Sequence, residues 1–191
     1  MKKLLVLPIL ALFVSLSAFA QEEEEVANAI DKKHEVRLGA VKLLAGGIFE
    51  GVYEYVQDSN RGFGASVLFN FNTEDDDYQE DYSITPYYRM YFQTKEDYGA
   101  KGFFVEGFTS FFGGEQLVDG DFILEGDTIV GTMPSKEENY FDISVGLALG
   151  KKWINSTGFV FEIKFGAGRN LLNASEFEAL FKGDLYVGYR F

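Results

Sequence analysis

The chain has 191 residues, with 30 acidic side chains against 17 basic, a formal net charge of −13, and no cysteine. So acidic a chain repels phosphate backbones, which excludes nucleic acid as an expected partner. The missing cysteines exclude a disulfide framework and fit an exported protein that does not depend on one.

Met1-Lys2-Lys3 is basic, Leu4 to Phe13 is apolar, and Ala18-Phe19-Ala20 offers small residues before Gln21. This order predicts a secretory signal peptide over 1–20. The apolar run falls short of the roughly 20 residues a membrane helix needs, and no Cys follows to carry a lipid. No later stretch is long and apolar enough for a spanning helix. A membrane crossing would have to be made by strands, and they would have to close, because hydrocarbon offers an open sheet edge no hydrogen-bond partner. Taking Lys2 and Lys3 from the 17 basic residues leaves 15 against 30 acidic. The remaining chain of about 170 residues has single-domain length. Residues 21–34 carry Glu22-Glu23-Glu24-Glu25 and no apolar period, which predicts an acidic, solvated periplasmic tail.

From Glu35 to Phe191 the chain alternates apolar and polar positions in about eight segments, the period of strands. The first pair is expected near Glu35–Ala45 and Ile48–Gln57, joined at Gly46-Gly47. Gly62–Asn72 sets Phe63, Ala65, Val67, Phe69 and Phe71 against Ser66 and Asn70. Tyr82–Gln93 sets Ile84, Pro86, Tyr88, Met90 and Phe92 against Thr85, Tyr87, Arg89 and Tyr91. Gly102–Gly113 follows, then Asn139–Lys151 and Gly158–Asn170. Leu171–Lys182 leads into a last strand, Gly183–Phe191. An even count returns both ends to one side, and the 21 glycines, 17% aromatic residues and only three prolines suit an uninterrupted twisted ladder. Connections after segments two, four and six are short; 73–81, 114–138 and 171–182 are longer. Short turns at one end and long loops at the other are the habit of outer-membrane barrels. The fold expected is an all-β, eight-stranded antiparallel up-and-down transmembrane barrel over 35–191.

A soluble barrel would show the same alternation with apolar residues inside. Here the polar face is mostly Gly, Ala, Ser and Tyr with about one charge per strand, which suits a narrow lumen better than a water-facing surface. The other face carries Phe, Ile, Leu and Val throughout, with Tyr53, Tyr55, Tyr88, Trp153 and Tyr189 near strand ends, as in interfacial girdles. The apolar face is therefore read as outward. Lys42, Glu50, Glu54, Arg89, Glu106, Asp142, Glu162, Lys164, Asp184 and Arg190 then share the interior as a lumen charge network. They are expected to pair across strands, with Arg89 and Arg190 as bidentate centres.

The chain ends with Leu185, Val187, Tyr189 and Phe191 on one face of the last strand, a pattern that looks like the C-terminal assembly signal of outer-membrane barrels. With Tyr53-Glu54-Tyr55, Thr85-Pro86-Tyr87-Tyr88-Arg89-Met90-Tyr91-Phe92, Gly102 to Gly107, Gly146 to Trp153 and the ending Gly188-Tyr189-Arg190-Phe191, the chain resembles the Bacteroidetes outer-membrane barrels known as domain of unknown function 3575. These are similar in build to OmpA and OmpX. The resemblance implies location and fold and brings no catalytic residue.

No catalytic, cofactor or metal residue is assigned, and no enzyme activity is expected. A lipid hydrolase at the outer rim would need a base beside its nucleophile. The one histidine, His34, is placed before the first strand at the opposite, periplasmic end. Asp75, Asp76, Asp77, Glu80 and Asp81 offer oxygen ligands for a hard cation, without the spacing or the glycine of a calcium loop. Asp127-Thr128-Ile129 resembles the short O-glycosylation motif of Bacteroidetes. The expected role is structural, or binding through the 114–138 loop, in a monomeric barrel. Its partners would be membrane lipid and lipopolysaccharide, the barrel assembly machinery and an extracellular ligand. The alternatives are a small lipid hydrolase and a narrow, porin-like gated channel.

Overall fold

The computed structural model describes residues 32–72, 78–92, 99–118, 122–125, 128–132, 134, 136–174 and 177–191. The signal peptide, nearly all of the acidic tail, Asp75, Asp76, Asp77 and Asp127 lie outside these residues. The strands are β1 His34–Gly39, β2 Ile48–Val56, β3 Arg61–Asn70, β4 Tyr82–Phe92, β5 Gly102–Val118, β6 Phe122–Glu125, β7 Thr128–Thr132, β8 Lys136–Ile154, β9 Phe159–Asn170 and β10 Ala179–Arg190. Eight of them close into an antiparallel up-and-down barrel in the order β1-β10-β9-β8-β5-β4-β3-β2, and β6 and β7 form a separate two-stranded hairpin.

Alternation decides which side chain faces where. β4 shows it without a break, from exposed Tyr82 to exposed Phe92 with every second residue buried. The β4/β5 ladder skips Thr85 and Pro86, since proline has no N–H to donate. There the Thr85 and Ser110 hydroxyls bond across the gap at 2.8 Å. Glycines on the inner face make room for large rings: a Cβ on Gly150 would strike Phe104, and one on Gly146 would strike Phe108.

The barrel's first and last strands meet at the short-turn end, where His34 and Phe191 exchange backbone hydrogen bonds. Asp58 organises the β2–β3 turn there, accepting from the Asn60 amide at 2.9 Å and from Arg61 Nε at 2.8 Å. Asn155 does the same for β8–β9, and Gly158 closes that turn at φ +99°, open to glycine without strain. Gly99 and Ala100 turn into the mouth of the barrel, and Ala100 is fully buried.

Several expected boundaries move. β1 ends at Gly39, not Ala45; residues 42–46 form a single helical turn instead of a tight hairpin. The segment Ala-Val-Lys-Leu-Leu-Ala is rich in good helix formers, and Asp184 accepts the amides of Val41 and Lys42 at the start of the turn, at 2.9 and 3.2 Å. Much of the 114–138 insertion is strand. β5 and β8 remain paired out to Val118 and Lys136, beyond the last rung with β4 at Gly113, and form an arm that β6–β7 follows. The last strand begins at Ala179, four residues before the expected Gly183, and His34 lies within β1.

Candidate functional site: the charged interior

Inside the barrel the charges gather in one slab. Glu35 and Arg37 come from β1, Glu54 from β2, Arg89 from β4, Glu106 from β5, Lys152 from β8, Glu162 and Lys164 from β9, and Arg190 from β10; each is at most 5% exposed. Arg89 is the hub. Its Nη1 and Nη2 donate to the two oxygens of Glu162 at 2.7 and 2.8 Å, its Nε to Glu106 at 2.5 Å, and its Nη1 to Glu54 at 3.0 Å. Arg37 donates to Glu54 at 2.8 Å and to Glu162, and lies 3.1 Å from Glu35. Lys152 bridges Glu35 and Glu54, both at 3.1 Å, and Lys164 reaches Glu106 at 3.2 Å. Arg190 holds Glu35 at 3.0 Å through Nε and grips the carbonyls of Gly99 and Ala100 at 2.9 and 3.0 Å, which pins that turn in the mouth.

The slab is sealed above and below. Toward the short-turn end Val56, Tyr91, Ala100 and Phe104 form one apolar layer; on the other side Val52, Tyr87, Phe108, Ala148 and Tyr186 form a second. The Arg89 guanidinium lies between them, 4.1 Å from the Phe104 ring centre and 4.8 Å from that of Tyr87. Hydroxyls on these layers turn back into the network: Tyr91 donates to Glu54 at 2.5 Å, and Tyr87 accepts from Arg37 at 2.9 Å. Charges withdrawn from water in this way interact strongly and are costly to leave alone.

All ten network residues expected from the sequence face the barrel interior or its upper rim, but they do different things. Glu54, Arg89, Glu106, Glu162, Lys164 and Arg190 belong to the slab. Lys42 and Glu50 form a separate pair nearer the long loops, at 2.6 Å, and Tyr186 donates to Glu50 at 3.2 Å. Asp142 and Asp184 anchor backbone: Asp142 accepts the amides of Leu172 and Ala174 at 2.9 and 3.0 Å, and Asp184 those of Val41 and Lys42.

Five members were not expected. Glu35 and Arg37 occupy the short first strand, and Lys152 continues the inward series from Asp142 by steps of two. Lys182 and Glu80 fell in expected loops yet pair inside, and Lys182 also donates to Ser83 at 3.2 Å. The acidic patch is thereby divided, since Glu80 is buried and Asp81 accepts the Glu115 amide at 3.0 Å.

Carboxylate oxygens of Glu35, Glu54 and Glu162 lie within 4.8 Å of one another, a spacing compatible with a hard cation. Arg37, Arg89 and Lys152 already occupy those oxygens, so the donor set is neutralised by side chains and does not fit a metal. His34 stands outside the lumen, 2.7 Å from the Tyr53 hydroxyl and stacked on the Phe191 ring.

Fold and site together define a closed eight-stranded barrel with an apolar exterior and an ionic core. The chain matches no protein-family model, no curated protein and no solved structure.

Proposed function

We propose that the protein spans a bacterial outer membrane as a monomeric barrel. Its short turns and termini face the periplasm, its β5–β8 arm faces outward, and it serves the envelope structurally or by binding through its outer loops. The observation that carries this is the inversion of the usual arrangement. Phe63, Ile84, Leu147 and Phe165, on four strands, are 47%, 51%, 65% and 64% exposed on the outer face, while arginines and glutamates fill the inside. Full burial of such a side chain is worth about 1.5–3 kcal/mol, and in water each of these would forgo roughly half of it. Lipid removes that cost around the whole circumference.

Tyr53, Tyr55, Tyr88, Trp153 and Tyr189 lie on the outer face toward the short-turn end, a position suited to the membrane interface. Lys151 sits over the rings of Phe103 and Trp153, 4.7 and 5.0 Å from their centres, as expected of a cation at headgroup level. Leu185, Val187, Tyr189 and Phe191 share the outer face of the closing strand, where assembly machinery would meet them. Heated and unheated samples of an outer-membrane fraction test this: a closed barrel migrates faster until boiled, and migration unchanged by heat would refute it.

A further inference from the structure

The barrel wall has a break. β10 pairs with β1 only from Arg190 to Tyr186, yet with β9 it continues to Ala179. On the far side, β2 has a β1 partner only as far as Gly51. Residues 179–185 of β10 thus have a strand on one side alone, and the helical turn 42–46 stands where the rest of β1 would have run. Asp184 replaces the missing rungs by taking the amides of that turn.

A cavity of about 580 Å³ lies beside this break, over β8, β9 and β10 and reaching Lys42, within the range of small-molecule sites. Leu149, Phe165 and Phe181 wall it with outward side chains, and Gly183 floors it. Leu149, Phe165 and Gly183 form one cross-strand row. Extending the β1/β10 register past Gly39 would bring position 42 next in that row, and Lys42 does line the far end of the cavity with Tyr78. The trough therefore runs from lipid-facing apolar wall to polar side chains.

That polar end has unused capacity. The Tyr78 hydroxyl is buried beside Lys42, whose ammonium stands 5.9 Å from the Tyr78 ring centre, and among the described residues no partner lies at normal hydrogen-bond distance from it, although a buried hydroxyl without one is costly. Lys42 has three ammonium donors; one serves Glu50, and 12% of its side chain is accessible. Glu50 and Glu80 also stand close to this end, but Lys42 and Lys182 pair with them, so a hydroxyl and an ammonium at the end of an apolar trough match an anionic oxygen joined to a hydrocarbon chain.

We propose that the trough over β8–β10, beside the break in the wall, binds one acyl chain bearing an anionic headgroup. The chain lies along Leu149, Phe165 and Phe181, and a carboxylate or phosphate oxygen accepts from Tyr78 and Lys42. The site rests on the membrane reading, because the trough opens on the outer wall.

The test uses the full barrel in a maltoside detergent, with diazirine-labelled palmitic acid in one arm and phosphatidylglycerol carrying the same labelled chain in the other. Crosslinks are mapped by mass spectrometry. Labelling concentrated on β8–β10 and the turn 42–46, and competed by unlabelled lipid, is expected in at least one arm. The arm that labels identifies a free fatty acid or a phospholipid as the source. Tyr78→Phe should weaken labelling about tenfold, the loss of one hydrogen bond to a charged group. Ala167→Trp, on the outer wall, should block it while the heat-dependent gel shift persists. Equal labelling around the barrel, including Phe63 and Phe69, or labelling indifferent to both substitutions, overturns the site. Flotation with phosphatidylglycerol vesicles separates the two readings: a barrel that floats but labels evenly refutes this site alone, and one that does not float refutes the membrane reading.

Discussion

Arg89 on β4 holds Glu162 on β9 across the lumen, each guanidinium Nη donating to a different carboxylate oxygen at 2.7 and 2.8 Å. The two strands are not neighbours in the barrel, so the pair ties opposite walls together and the rest of the slab assembles around it.

Arg89→Ala would leave Glu162, Glu106 and Glu54 with less positive charge in a sealed interior. A loss of about 3–5 kcal/mol is expected, as when one partner of a buried pair is removed. Arg89→Lys should recover only part of it, because an ammonium cannot reproduce the planar fork. Urea unfolding of the three proteins in the same detergent measures the differences, and equal midpoints for wild type and Arg89→Ala would contradict the hub role.

The same slab closes the lumen. In planar bilayers the wild-type barrel should give no steady conductance, because the layers on either side of Arg89 leave it packed between the rings of Tyr87 and Phe104. Regular open steps from the wild-type protein would show that the plug yields.

Asp184 is expected to matter locally. Asp184→Ala removes the acceptor for the Val41 and Lys42 amides and should loosen the turn 42–46, costing about 1.5–3 kcal/mol for hydrogen bonds to a charged group. Limited proteolysis should then nick the variant near Lys42 while wild type stays whole. Equal resistance would mean that packing alone holds the turn.

At the short-turn end, the Asn60 amide holds the Asp58 carboxyl below its ordinary value; slight burial opposes this, and Arg61 adds to it. A depressed carboxyl contributes stability above its unfolded value and loses that contribution as pH falls through the folded one. Protection of the Asn60 amide, its exchange rate taken relative to the intrinsic rate at each pH, should therefore fall under acid, and Asp58→Asn should remove that dependence. An acid profile identical in the variant would count against the assignment.

Most of the barrel was legible because alternation reports directly on which face a residue occupies. Phe63 to Phe71 and Ile84 to Phe92 point outward as their spacing requires, and the short connections between segments do lie at one end. The helical turn was not legible: Gly46-Gly47 reads as a hairpin signal, and what overrides it is Asp184, distant in sequence. The arm was missed because Glu115 and Glu137-Glu138 look like loop residues when no partner strand is known. In the interior, Arg89 and Glu162 could be read from the polar face. Lys152 could have been reached by carrying the Asp142 series one step past Gly150. Lys182 and Glu80 could not, since only their pairing distinguishes them from loop charges.

Contact between the outer apolar face and lipid can be read from a probe the protein already carries, its single tryptophan Trp153, 41% exposed on that face near the short turns. Its fluorescence in vesicles of brominated phosphatidylcholine should be quenched by the bromines, more by those near the headgroup than by those deep in the chain, and little by aqueous iodide. Strong quenching by iodide with none from the bromolipids would contradict the account.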